Sequence, residues 1–98
     1  MTSEMIFEPV ASFDGMELMM TVNAPKDPKA VVVFVHGLCE HQGRYDYMAD
    51  QFTARKFKVY RFDHRGHGKS KGERYFYKTP DEIIDDTNFI VDLAKKEN

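Results

Sequence analysis

The run Ala30–Val35, A-V-V-V-F-V, followed at once by His36-Gly37, constrains this chain more than any other stretch. Six consecutive apolar residues rich in valine fit a strand covered on both faces, as in the middle of a parallel sheet. A glycine directly after such a strand permits a tight turn and lets other groups approach the main chain closely. From about Gly43 the residues read as a helix. A buried strand that ends in a glycine loop and passes into a helix is where open α/β folds bind ligands.

The flanking segments fit around this corner. Ile6–Phe13 and Met16–Val22 are apolar-rich runs joined by Asp14-Gly15, which predicts a hairpin closed by a tight I′ turn with positive φ at both positions. Pro9 has no N–H to give to a ladder, so the first strand belongs at a sheet edge. Asn23–Lys29 is a polar connection with two prolines. Beyond the His36-Gly37 loop, Tyr45, Met48, Ala49 and Phe52 recur at i, i+3, i+4 and i+7, one face of a helix over Arg44–Arg55. Phe57–Phe62 is a further strand, and a strand, helix and strand this close form a right-handed unit with parallel strands. Asp63–Lys78 is a long loop with three glycines, of a length that usually carries function. Thr79-Pro80-Asp81-Glu82 marks a helix start, with Thr79 as N-cap, Pro80 in the first turn and Glu82 three residues on. Ile83, Thr87, Ile90 and Ala94, beside Ile84, Val91 and Leu93, give that helix its buried face. Lys95 and Lys96 suit its C-terminal end.

The pattern is α/β: an antiparallel hairpin, then β-α-β-α with parallel strands and helices on both faces. At 98 residues there is room for one domain. Residues 1–98 end on a helix with no strand to receive it, so the chain reads as the N-terminal portion of a single domain. In that case Ala30–Val35 has a neighbour on one side only, and self-association through its unprotected edge is expected.

Bulk properties exclude several classes. A net charge of −2 supplies no general attraction for nucleic acid or anionic membrane. No run approaches the ~20 apolar residues that span a bilayer. The first residues lack a basic stretch followed by an apolar one, which points to a cytoplasmic protein. Cys39, the one cysteine, excludes an internal disulfide.

Several stretches carry candidate chemistry. The N–H of Leu38, after His36-Gly37, can be read as an oxyanion donor, against the plainer reading of an ordinary tight turn. Glu40, His41 and Arg44 could do acid–base work; the i, i+4 spacing of Glu40 and Arg44 favours a structural ion pair. Ser70 sits in a literal G-x-S-x-G, Gly68 to Gly72. A nucleophile elbow, however, places its serine directly between a strand and a helix. Ser70 lies eight residues past Phe62, and no helix starts until about Thr79. It is not read as a nucleophile. Gly66-His67-Gly68-Lys69-Ser70 imitates the end of a phosphate-binding loop, but Asp63 stands where that pattern needs its first glycine. His36, His41, His64, His67 and Cys39 lack the spacing of a structural zinc site, so neither metal nor cofactor is expected. Arg61, Arg65, Lys69, Lys71, Arg74 and Lys78, interleaved with Tyr75, Phe76 and Tyr77, could contact single-stranded nucleic acid. The acidic balance of the chain favours a solvated loop over a cleft instead.

Two motifs taken together, H-G-L-C-E-H-Q-G-R-Y at 36–45 and D-H-R-G-H-G-K-S-K-G at 63–72, resemble the α/β-hydrolase branch of monoacylglycerol lipases and lysophospholipases, the serine aminopeptidase S33-like hydrolases. The resemblance covers roughly residues 6–96. It implies an ester hydrolase working through an acyl-serine intermediate on a lipid-like substrate. It makes Leu38 an oxyanion donor and His36 and Gly37 part of the substrate loop. Asp63, Arg65, Gly66, His67, Gly68, Ser70 and Gly72, with Glu40, His41 and Arg44, become structural motif residues. The nucleophile, acid and catalytic histidine are expected after residue 98, so the 98-residue chain alone is expected to be inactive. A non-catalytic binding module and a peptidase or thioesterase on the same fold are the rival readings.

Overall fold

The computed structural model describes residues 3–37 and 39–98. Four strands form one sheet in the order β1-β2-β4-β3. They are β1 (Ser3–Ala11), β2 (Glu17–Pro25), β3 (Ala30–Val35) and β4 (Phe57–Phe62). β1 pairs antiparallel with β2, β2 antiparallel with β4, and β3 parallel with β4. As Pro9 requires, β1 is an outer strand.

The hairpin turn differs from the expected I′ form. Gly15 has φ +88°, whereas Asp14 is not in the left-handed region. The Gly15 N–H donates to the Ser12 carbonyl at 3.0 Å and the Ser12 N–H to the Met16 carbonyl at 2.8 Å. One left-handed glycine after a three-residue reversal closes this hairpin.

The exposure of β3 corrects a second expectation, that of cover on both faces. β4 inserts between β2 and β3, so the apolar run Ala30–Val35 is the other outer strand. Val31 and Val35 are 39% and 48% exposed. The strand with neighbours on both sides is β4, and Val59–Phe62 is buried throughout. Periodicity reports how apolar a strand is; the order of strands decides which one is enclosed.

The first crossover passes through a short 3-10 turn, Gln42–Tyr45, into α1 (Asp46–Ala54). Ala49 and Thr53 are its buried residues, and Met48, expected on the inner face, is exposed. The 3-10 turn rotates the face relative to an unbroken helix from Arg44. α2 (Pro80–Glu97) begins as the sequence indicates, with Thr79 extended at the N-cap. The Thr79 hydroxyl makes no capping bond; Glu82 turns back to accept the Lys78 N–H at 2.7 Å. Along α2 the buried residues are Asp86, Ile90 and Ala94, at i, i+4 and i+8, while Ile84 is exposed.

The two helices cover opposite faces of the sheet. Val33 pairs with Tyr60 and Phe34 with Arg61, so these pairs point to alternate sides. On one side Ile90 and Ala94 join Leu18, Met20, Val22, Tyr60 and Phe62 in the core. Each fully buried side chain of this size contributes about 1.5–3 kcal/mol. On the other side the Phe34 ring meets Phe52 at 5.2 Å and Tyr45 at 6.2 Å. Among the described residues, no helix is long and apolar enough to cross a membrane.

Candidate functional site

Parallel pairing of Val35 with Phe62 brings the ends of β3 and β4 together. The loops that leave them, His36–His41 and Asp63–Lys78, therefore start side by side. His36 and His64, both buried, hold each other through two bonds. The His64 backbone N–H donates to His36 Nε2 at 2.9 Å, and His64 Nε2–H donates to the His36 carbonyl at 2.9 Å. A backbone N–H can only donate, so His36 Nε2 carries a lone pair and its proton sits on Nδ1. That Nδ1–H donates to the Gly37 carbonyl at 2.7 Å.

Burial keeps both rings neutral. Desolvation pushes the His36 pKa down and brings that of His64 to about 4, with the neighbouring His36 adding to the effect. His67, fully buried, donates Nδ1–H to the Arg65 carbonyl at 3.0 Å, and its ring centre lies 5.3 Å from that of His36. Among the described residues, no three histidine, cysteine or acidic side chains are placed to share a metal ion.

Glu40 fixes the other side of the first loop. Its Oε1 accepts the Gly37 N–H at 2.7 Å and the Tyr45 hydroxyl at 2.9 Å, and its Oε2 meets Arg44 Nε at 3.2 Å. The Gly37 N–H first, then the Tyr45 hydroxyl, hold the Glu40 carboxyl below its usual range. His41 contributes its carbonyl, which accepts the Arg44 N–H at 3.2 Å. Cys39 is held at φ +64°, an unfavourable conformation for a residue with a side chain. Leu38 lies outside the described residues.

The second loop is interior in its first part and solvated, as its charge suggests, from Lys71 to Phe76. Asp63, His64, Arg65, His67 and Ser70 are all buried. Asp63 accepts the Gln42 N–H at 2.7 Å and the Lys69 N–H at 2.9 Å, tying the two loops together. A Cβ on Gly68 would stand 2.4 Å from the Asp63 carboxyl carbon, so the glycine makes room for that carboxylate. Ser70 Oγ donates to the Asp63 carbonyl at 2.6 Å and accepts the Met19 N–H at 2.8 Å. Both functions of its hydroxyl are occupied within the fold.

Arg65 anchors the loop to the rest of the chain. Its Nε meets Asp86 Oδ2 at 2.7 Å and its Nη2 meets Asp86 Oδ1 at 2.8 Å. Asp14 accepts from it at 2.9 and 3.0 Å, and Glu82 approaches to 3.3 Å. The Asp86 hydrogen bonds raise the Arg65 pKa, and the bond to Arg65 lowers that of Asp14. Arg61 is equally buried and binds Asn23 Oδ1, the Gln42 carbonyl and Asp46. Of the basic stretch, these two arginines thus serve the interior, while Lys69, Lys71, Arg74 and Lys78 remain exposed.

Asp14 and Asp86 escaped the sequence reading. A lone aspartate four residues before Ile90, on an apolar helix face, was the available signal. A groove of about 740 Å³ runs along the α1 side, lined in part by Met5, Phe7, Thr21, Gln42, Asp46 and Arg61. His36 and Gly37 are not among the residues that line it.

This sheet order, the crossover helices on opposite faces and the paired loops at the ends of β3 and β4 define the N-terminal part of an α/β-hydrolase fold. A carboxyl esterase from Bacillus coagulans superposes with a TM-score of 0.84 at 26% identity, over 98% of this chain and 33% of its own. The chain belongs to the serine aminopeptidase S33 family, whose sequence model matches residues 26–98. Among its relatives, a monoacylglycerol lipase of Mycolicibacterium smegmatis is 38% identical over 90% of this chain and 32% of its own length. A monoglyceride lipase of Rattus norvegicus is 47% identical over 87% of this chain and 26% of its own. The chain thus spans about a third or less of the length of these relatives.

Proposed function

We propose that this chain is the oxyanion-loop portion of a serine hydrolase that cleaves carboxylic esters, with monoacylglycerols or lysophospholipids as substrates. The observation that carries this reading is the 38% identity to a monoacylglycerol lipase along 90% of the chain. It is supported by the bracing of the His36-Gly37 turn from both sides, by His36 and by Glu40. In this reading Leu38 N–H donates one of two hydrogen bonds to the tetrahedral oxyanion; loss of one such donor typically costs on the order of 10²–10³ in rate. The nucleophilic serine and its acid and histidine partners are supplied from outside residues 1–98. Ser70 has no part in the chemistry, because its hydroxyl already donates to the Asp63 carbonyl and accepts the Met19 N–H.

The family's own description favours a second reading, cleavage of an aminoacyl amide on the same fold. The test is hydrolysis by the full polypeptide that carries this chain. Monoacylglycerol and p-nitrophenyl esters should be turned over, and aminoacyl p-nitroanilides should not. The reverse preference would establish the peptidase reading. Residues 1–98 alone should release no p-nitrophenol above background.

A further inference from the structure

Past the buried Ser70, the loop that leaves β4 emerges, and Lys71 to Phe76 are all exposed. Hydrogen bonds tie this outer part down. The Gly66 N–H donates to the Lys71 carbonyl at 2.8 Å, and the Tyr75 N–H to the Gly66 carbonyl at 2.9 Å. Arg74 Nη1 donates to that same Gly66 carbonyl at 3.0 Å. The Phe76 N–H closes a turn on the Glu73 carbonyl at 3.0 Å. Tyr75, third in that turn, has φ +59°, where such turns favour glycine. An aromatic residue held there is strained, and strain of this kind collects at functional sites.

The turn presents rings and cations together. Tyr75 and Phe76 are 54% and 48% exposed. The Tyr75 ring meets His67 edge-on at 5.1 Å, and the Arg74 guanidinium lies 5.8 Å from its centre. Residues 69–78 carry Lys69, Lys71, Arg74 and Lys78 against Glu73, a balance of +3; with a net charge of −2 for the whole chain, all other residues together carry −5. Among the described residues, no carboxylate pairs with the Lys69, Lys71 or Lys78 ammonium group. Exposed rings beside free cations, on an otherwise acidic chain, match a surface with anionic heads over an apolar interior. We propose that the turn Glu73–Phe76 docks this protein on anionic phospholipid surfaces: Tyr75 and Phe76 enter the headgroup layer, and Lys69, Lys71, Arg74 and Lys78 meet the lipid phosphates. The choice of a lipid surface rests on the lipid-ester reading given above. The loop leaves the end of β4 that lies beside the end of β3, so docking brings the candidate site's end of the sheet to the layer that holds a lipid ester. A single-stranded nucleic acid needs rings set along a basic groove, and neither Tyr75 nor Phe76 lines the groove beside α1.

The experiment is co-sedimentation of the full polypeptide with vesicles of phosphatidylcholine alone, and of phosphatidylcholine with about 30% phosphatidylserine. Binding should favour the anionic vesicles and weaken as salt rises. Lys71→Gln with Lys78→Gln should weaken it by about 30-fold, at roughly fivefold per cation. Tyr75→Gly removes the ring but suits the φ of the turn, so the melting temperature should hold while binding falls by about tenfold. No binding, equal binding to both kinds of vesicle, or unchanged binding in these variants would overturn the proposal.

A fluorescent single-stranded oligonucleotide is the competing probe. Binding to it that is lost in Lys71→Gln with Lys78→Gln, while vesicles are ignored, would make the loop a nucleic-acid surface instead. Turnover of a soluble p-nitrophenyl ester separates the docking from the activity it rests on. The variants should leave that turnover unchanged and slow only the hydrolysis of monoacylglycerol held in anionic vesicles; equal slowing of both would refute docking. A protein that binds vesicles through the loop yet cleaves no ester would sink the proposed activity and retain the docking surface.

Discussion

The hydroxyl of Ser70 accepts the backbone N–H of Met19 at 2.8 Å, joining residues 51 apart in the chain. The same oxygen donates to the Asp63 carbonyl, so the loop after β4 is stitched to β2 through one side chain. Replacing Ser70 by alanine leaves a partly buried backbone N–H without its acceptor. Denaturant titration should show a loss of about 1–3 kcal/mol. In the full polypeptide, fluorophosphonate should label a serine other than Ser70, and Ser70→Ala should leave that labelling in place.

Asp86 and Asp14 both serve Arg65, but at different burial. Asp86→Ala removes a fully buried partner and leaves the guanidinium partly uncompensated, so about 3–5 kcal/mol should be lost. The Asp14 side chain is 36% exposed, and Asp14→Ala should cost about 1 kcal/mol or less. Equal losses in the two variants would contradict this account.

Glycines 15 and 68 both have positive φ, at +88° and +51°. A Cβ at Gly15 meets nothing within 4 Å, whereas one at Gly68 collides with the Asp63 carboxyl group. Gly15→Ala should therefore cost about 1–2 kcal/mol, from conformation alone. Gly68→Ala adds the clash and should cost roughly 2–5 kcal/mol by the same measurement.

Folding brings the His64 pKa from 6.5 to about 4. Between those values the unfolded chain binds a proton that the folded chain refuses. Stability is therefore complete above pH 6.5 and falls as the pH drops toward 4. His36 acts in the same direction. The Asp14 carboxyl, held below its ordinary 3.8, loses its contribution only at lower pH. Urea midpoints should fall between pH 7 and 4.5 by an amount equivalent to about 1–3 kcal/mol. An NMR titration placing the His64 ring near pH 6.5 would show that it is not sequestered.

β3 offers an outer edge without charge or proline. Residues 1–98 should self-associate through it as concentration rises. Val31→Lys puts a charge on that edge at a half-exposed site and should shift size-exclusion profiles toward the monomer. An association unaffected by Val31→Lys would place the contact elsewhere.

Local signals were sufficient where local physics decides. The apolar run of β3 and the Thr79-Pro80 start of α2 each act within a few residues, and both elements begin where they were expected; the strand that holds Pro9 is an outer one but spans Ser3–Ala11, not Ile6–Phe13. The helices also take opposite faces, as the handedness of the crossovers requires. Apolar content alone suggested cover on both faces of Ala30–Val35; it could not show that Val59–Phe62 of β4 is the better buried run, which depends on what packs against each strand. Nor could it pair Arg65 with Asp86 or Ser70 with Met19, because those partners meet only once the sheet has closed. In the candidate site the motif residues were legible as a group. The tautomer of His36 was not, since it depends on a backbone N–H 28 residues away.

Arg65 draws its carboxylates from the hairpin, through Asp14, and from the last helix, through Glu82 and Asp86. A partly assembled chain that closes the loop before both arrive must hold a cation away from water with too few partners. Such states are costly, so the arginine acts as an assembly checkpoint. Hairpin, loop and helix are driven to form in one cooperative event. The loop that carries His64 is thereby tied at one residue to both the hairpin and the last helix.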